Sequence, residues 1–187
     1  TWRHRGSTRE GRAAASDGYK SKALVLGGKT AILHEGRLIQ HGVTADCYRH
    51  PASTTVTQVF ADPPMNLMPV RIDDGQLHVA EVIRMSLPAH MRDLAPGDYT
   101  LGVRPHHLSA SGDAGDVTLQ GEVEVAEIAG SVTYVHLAVN GQDWVVEARG
   151  VHQAHPGDAF TLHFKADSAY LFDRADRLAA APPTERG

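Results

Sequence analysis

The residues in this chain that could do chemistry are scattered, and their spacing limits what each can do. Gly27-Gly28-Lys29-Thr30 carries the last letters of a phosphate-cradling loop, G-x-x-x-x-G-K-[ST]. The first glycine of that pattern is missing, and the segment leads into an alternating apolar run that predicts a strand, whereas a phosphate loop must open a helix. No LSGGQ-like segment occurs, and no apolar run ends in Asp-Glu. The acidic groups that would hold Mg2+ and position water for phosphoryl transfer therefore have no counterpart. The twelve histidines raise the question of a metal. His106 and His107 are adjacent and, on a strand, point to opposite faces, so they cannot comfortably chelate one ion. His152 and His155 share a loop-like GVHQAHPG, a spacing that holds a metal only if a carboxylate approaches; solvated loop histidines are the favoured reading. Cys47 lies on a predicted helix with no histidine at a diagnostic spacing and reads as a small buried apolar residue.

Arg104 is of another kind. It is a charge inside an apolar strand that ends at Pro105, and two readings are open. It is a buried or half-buried structural arginine that pairs with a carboxylate such as Glu122, Glu124 or Glu127, the favoured role, or it faces a ligand or partner. Glu127 and Gly130 bracket a bulge or turn. Arg104, Pro105, His106, Glu127 and Gly130 are thus the candidate regulatory or interface residues, and no residue is assigned a catalytic, cofactor-binding or metal-ligating role.

The elements that must position these residues follow from pattern. Residues 30–33 and 38–40 alternate around Glu35-Gly36 and predict a β-hairpin. Thr44 is expected to cap a short helix over 45–49, and Ser53 a second over 54–61 that buries Val56, Val59 and Phe60 on one face. Asp62-Pro63-Pro64 breaks the pattern and marks a domain boundary. Beyond it come eight short alternating runs, at 67–72, 76–79, 99–104, 121–128, 132–139, 144–148, 159–164 and 169–172, separated by Gly, Pro and Asp. They predict an all-β barrel or sandwich. Residues 23–27 read as the end of a helix, and 179–187 as a disordered tail.

Composition bounds the rest. The 187 residues are 42% hydrophobic and 21% charged, ordinary for a globular protein that buries a core. Residues 1–22 carry six Lys/Arg against two carboxylates, and read as a disordered basic tail; with a chain total of −4, the remainder is at −8 and offers nucleic acid little attraction. The single cysteine excludes an intrachain disulfide and suits a reducing compartment. No apolar run reaches membrane-spanning length, and no signal peptide is expected.

Residues 28–69 resemble the last part of the nucleotide-binding domain in the ATP-binding subunits of sugar-type ABC importers. The landmarks are Leu33, Glu35-Gly36-Arg37, Gln40, Gly42, Tyr48-Arg49, Pro51-Ala52, Phe60 and Pro63-Pro64-Met65-Asn66, in that family's order and spacing. The stretches LGVRPHHL (101–108), GEVEVAEIAGSVTYVH (121–136) and YLFD (170–173) resemble the transport-associated OB-fold domain that follows in maltose- and glycerol-phosphate-type members. The family's slots for a switch histidine and glutamate fall on Gly18 and Lys22, so no catalytic role carries over.

The resemblance implies a mainly β fold, an OB-like regulatory barrel preceded by the hairpin and short helices that end an α/β nucleotide-binding domain. The implied division is a tail at 1–22, the nucleotide-binding remnant at 23–64, the OB-fold domain at 65–178 and a tail at 179–187. It implies the C-terminal fragment of an importer subunit, coupled to ATP-driven transport but without the hydrolysis motifs. ATP and Mg2+ would belong to the intact parent subunit, with no cofactor in this chain. The implied partners are a second copy, held weakly through the barrel, and the importer's permease subunits, which would bring it to the cytoplasmic face of the membrane. A stand-alone OB-like module that binds a small oxyanion is the competing expectation. Oligonucleotide binding is a weaker one, opposed by the negative body and the few strand aromatics.

Overall fold

The computed structural model describes residues 28–79 and 83–183. The expected basic tail at 1–22, the helix end at 23–27 and the last residues of the expected C-terminal tail lie outside them.

The first unit is a hairpin, β1 (Lys29–His34) and β2 (Arg37–Val43), followed by two short helices, α1 (Thr44–Arg49) and α2 (Thr54–Phe60). Glu35 and Gly36 both have positive φ (47° and 75°), the backbone that matches a two-residue turn to the twist of its strands. Ser53 caps α2 as expected, its Oγ accepting from the Val56 N–H at 3.3 Å. The cap assigned to Thr44 is corrected. Val43 holds the cap position without a side-chain bond, and α1 begins at Thr44 itself. The Thr44 hydroxyl donates instead to the Gly28 carbonyl (3.1 Å) and meets the Thr30 hydroxyl (2.8 Å), so a tertiary contact outcompetes the local one. Ile32, Cys47, Val56 and Phe60 form a small core, with Val59 packed against it. Burial is the main cause that raises the Cys47 thiol pKa, as befits an apolar packing residue.

The rest is two antiparallel sheets around one larger core. The six-stranded sheet contains β3 (Asn66–Asp73), β4 (Gln76–Val79), β5 (Ile83–Ser86), β6 (Gly97–Val103), β11 (Tyr170–Phe172) and β12 (Leu178–Ala180), in the order β12-β11-β6-β3-β4-β5. The four-stranded sheet contains β7 (Val117–Ala129), β8 (Val132–Val139), β9 (Gln142–Arg149) and β10 (Ala159–Phe164), in the order β10-β7-β8-β9. Alternation aims one face of each strand inward. Met68, Val70, Ile72, Leu101 and Val103 from one sheet meet Val135, Leu137, Trp144, Val146 and Leu162 from the other. This is the mainly β architecture that the alternation predicts. Among the described residues no helix is long and apolar enough to cross a membrane.

Two strands were not expected. β5 is an edge strand whose four residues are all partly or fully exposed, so it carries no buried alternation. β12 falls where a disordered tail is expected from Ala179. Leu-Ala-Ala has little strand signal of its own, and the pairing of Ala180 with Leu171 of β11 supplies what the local sequence lacks. β7 also starts earlier than read, at Val117, and a bulge between Val123 and Val125 bends it so that one strand serves β10 at one end and β8 along the other.

Asn66, 3% exposed, closes the seam between the sheets. Its side-chain N–H donates to the Val145 carbonyl (2.8 Å) and its Oδ1 accepts the Val145 N–H (2.6 Å), so one amide completes the outer ladder of edge strand β9. Beside it the Trp144 indole N–H donates to the Leu67 carbonyl at 3.1 Å. Replacing Asn66 by Ala leaves both Val145 groups without that partner. It is expected to lower unfolding stability by about 2–4 kcal/mol, read as a lower urea midpoint at unchanged slope; a loss below about 0.5 kcal/mol would contradict the role of the seam.

Candidate functional site

β6 ends at Val103, and the backbone stays extended through Arg104 (φ −73°, ψ 144°). Pro105 then takes the first position of a 3-10 turn, Pro105–His107, where its fixed φ fits and its missing N–H costs nothing. The turn packs on β9. It also corrects the reading of His106 and His107 as strand neighbours on opposite faces: their rings lie 4.4 Å apart, edge to face at 71°.

This geometry drives the Arg104 side chain inward, where it is 3% exposed. The expected carboxylate partner is absent. Glu122, Glu124 and Glu127 are exposed on β7, and no ion pair joins any of them to Arg104 among the described residues. The guanidinium instead lies over the Tyr48 ring at 3.6 Å from its centroid, with the Tyr170 ring at 5.2 Å. Its Nε–H donates to the Tyr170 hydroxyl (3.3 Å), and a terminal N–H donates to the Tyr48 carbonyl. Two aromatic faces and two neutral oxygens thus replace a counter-ion. The consequence is a joint, because Tyr48 belongs to α1 of the first unit and Tyr170 to β11 of the barrel. Burial is the largest cause raising the Tyr48 hydroxyl pKa, with the Arg104 charge opposing it. Gly102 lets this region close: a Cβ there would stand 2.4 Å from the Met65 sulfur and 3.2 Å from Phe172.

Of the candidate residues, Arg104, Pro105 and His106 come together. Glu127 and Gly130 sit on the β7–β8 hairpin, and among the described residues no hydrogen bond, ion pair or ring contact ties either to Arg104. Glu127 is exposed opposite Tyr134, and Gly130 (φ 66°) is the first residue of the two-residue turn. Tyr48, Asn66 and Tyr170 enter the sequence reading only within the stretches that carry the family resemblance, with no site role, and Asp176 does not enter it. For the tyrosines a signal existed: a lone arginine in an apolar strand can be satisfied by aromatic faces as well as by carboxylates.

Elsewhere, His152 meets the Arg149 carbonyl (2.7 Å) and His155 the Asp158 carboxylate (3.5 Å), so the two histidines serve different partners. Among the described residues no three His, Cys, Asp or Glu side chains gather as a metal site. Lys29 and Thr30 lie on β1, and the Thr30 hydroxyl is engaged by Thr44, so these residues do not fit a nucleotide phosphate.

Lysine cannot reach both tyrosines with a planar fork, so Arg104→Lys is expected to cost about 1–3 kcal/mol of stability by urea unfolding; an unchanged midpoint would refute the joint. His106 also bears on pH. His106 is exposed as a whole residue, but partial loss of water on the protein-facing side of its ring, and secondarily the Arg104 charge, hold its pKa below the ordinary histidine value, an effect that solvent on the open side keeps small. Below that ordinary value the unfolded chain binds the proton more readily than the folded one, so stability is lost as pH falls from about 7 towards 5. His106→Gln should flatten that part of the stability–pH curve, and an identical slope in the variant would exclude His106 as its source.

Residues 101–172 match the model of the TOBE domain. The chain is 30% identical over 154 residues to the sn-glycerol-3-phosphate import ATP-binding protein UgpC of Chromobacterium violaceum, a match covering 81% of this chain and 41% of that protein. It is 32% identical over 161 residues to the maltose/maltodextrin import ATP-binding protein MalK of Escherichia coli strain K12, covering 81% of this chain and 43% of that one. The chain therefore spans about two-fifths of the length of these relatives. A solved structure of the cytoplasmic molybdate-binding protein ModG with molybdate bound is 14% identical, covers 57% of this chain and 94% of that one, and superposes with a TM-score of 0.41. The end of β6, the Arg104 turn and the strands through β11 thus resemble a TOBE domain, in a chain similar over four-fifths of its length to the import ATP-binding proteins for sn-glycerol-3-phosphate and maltose/maltodextrin.

Proposed function

We propose that this chain acts as the C-terminal part of an ABC importer's ATP-binding subunit, with residues 65–178 serving as its regulatory and self-association domain and residues 23–64 as the end of the nucleotide-binding domain. One observation carries the reading: the likeness to import ATP-binding proteins runs through both the hairpin–helix unit and the barrel, and Arg104 fastens the two to each other. A barrel fastened in this way rides on the ATPase portion of its subunit instead of hanging from a linker. In this reading ATP and Mg2+ are held by parts of the subunit that precede these residues, and this chain hydrolyses no ATP by itself. The intact subunit works with permease subunits at the cytoplasmic face of the membrane, and the solute is a sugar or related compound.

Self-association is the part of this reading that the chain alone can test. A two-fold contact uses the same patch on both copies, and without the nucleotide-driven half of the contact only the barrel patch remains. A patch that buries less than about 1,200 Å2 in total supports weak association. Sedimentation velocity is therefore expected to show monomer at low micromolar concentration and dimer when the chain is concentrated by about a hundredfold. A tight dimer at nanomolar concentration, or a strict monomer at millimolar concentration, would overturn the proposal.

A further inference from the structure

The chain returns, near its C-terminus, to the unit with which its described residues begin. After β11, residues 173–178 form a turn organised by Asp173. Its Oδ1 accepts the N–H groups of Ala175 and Arg177 (2.9 Å each), and its Oδ2 accepts from the Arg177 guanidinium at 2.8 and 3.0 Å. The Asp173 N–H donates to the Arg177 carbonyl (2.8 Å), and the Asp176 N–H to the Asp173 carbonyl (3.0 Å). This brings Asp176 to a positive φ of 60°, a conformation that aspartate tolerates better than most residues, and delivers its carboxylate to the start of α2. There Oδ1 accepts from the Thr54 N–H (2.9 Å) and the Thr54 hydroxyl (2.5 Å), and Oδ2 from the Thr55 hydroxyl (3.4 Å). Two residues on, the Leu178 N–H donates to the Ala52 carbonyl at 3.2 Å, and the chain enters β12.

α2 already has its own cap in Ser53. A second cap, the carboxylate of a residue 122 positions away, is therefore not needed to start the helix. What it adds is position. The two pins act on different helices and come from different parts of the barrel: Arg104, at the end of β6, holds Tyr48 in α1, and Asp176, between β11 and β12, holds Thr54 and Thr55 in α2. The Arg104 contact alone restrains the unit at one end, whereas a second, separated pin, with the Leu178–Ala52 bond beside it, fixes its orientation as well as its place. We propose that the turn 173–178 is a clasp, with Asp176 as its positioning residue, that locks the hairpin–helix unit onto the barrel so that the two move as one body. That this lock carries movement between an ATPase portion and the barrel rests on the function proposed above; the clasp itself does not.

The test is hydrogen–deuterium exchange followed by mass spectrometry on the whole chain, without nucleotide or partner, so the outcome is independent of whether the barrel self-associates. Asp176→Gly deletes the carboxylate while keeping the positive φ free of strain. Thr54→Val removes only the hydroxyl bond to Asp176 and leaves the Thr54 N–H and the Thr55 hydroxyl in contact with it, so it gives a smaller change in the same direction and stands in should the glycine variant fail to fold. The expected result for Asp176→Gly is exchange about tenfold faster in peptides covering 44–60, with β8 unchanged, and no acceleration beyond that in the double variant, because the glycine already removes the partner of the Thr54 hydroxyl. Exchange in 44–60 within about twofold of the parent would overturn the clasp, as would an equal acceleration in β8, which would mean that Asp176 serves general stability and not position.

Discussion

A buried cation without a carboxylate is the constraint around which this structure is arranged. Moving a guanidinium out of water is costly, and an unpaired one is tolerated only where other groups replace its solvation. Arg104 obtains that replacement from the Tyr48 and Tyr170 rings and from two neutral oxygens. The accepting oxygens and the rings belong to two different segments, so α1, β11 and the end of β6 must all be in place before the charge is accommodated. The small core of the first unit and the large core of the barrel consequently assemble around one side chain. Neighbouring details include the glycine at 102 that lets Met65 and Phe172 approach, and the lowered basicity of the His106 ring, set first by partial loss of water and only then by the charge beside it.

The barrel meets a second problem in the same economical way. A sheet edge exposes unpaired N–H and C=O groups, and β9 is the edge of the four-stranded sheet. Asn66, at the first position of β3, presents an amide with the donor and acceptor spacing of a peptide group and completes the ladder at Val145. The Trp144 indole adds a bond to β3 from the neighbouring position. Two separate sheets are thereby joined by side chains at the place where their strands diverge. The arginine joint and the Asp176 contact then anchor the hairpin–helix unit to this framework, from the end of β6 and from the turn before β12.

Much of this was legible in the sequence because the signals are local. Asp73-Asp74-Gly75 and Asn140-Gly141 mark tight turns whose positive φ values demand such residues, and the strands they join, β3–β4 and β8–β9, alternate cleanly. β4, β8 and β10 begin and end where alternation predicts. Ser53 is a cap, and Val56 and Phe60 are buried, because both follow from helical spacing within one turn or two. The likeness to import ATP-binding subunits was legible for the same reason: it resides in runs of adjacent residues at fixed spacing.

What the sequence by itself determined, then, is the element order, the mainly β class and the family likeness, all of which depend on periods of two or about four residues and on turn chemistry. Only the tertiary structure decided the partners of the polar groups. Arg104 was assigned a carboxylate and found tyrosines 56 and 66 positions away; Thr44 was assigned a cap and found Gly28 and Thr30. Nothing local marks Asp176 as a ligand for Thr54, and β12 becomes a strand only because β11 lies beside it. The physical reason is that hydrogen bonds and cation–π contacts are satisfied by whichever group the assembled chain brings within about 3–6 Å, a property of the packed whole that no spacing along the chain encodes.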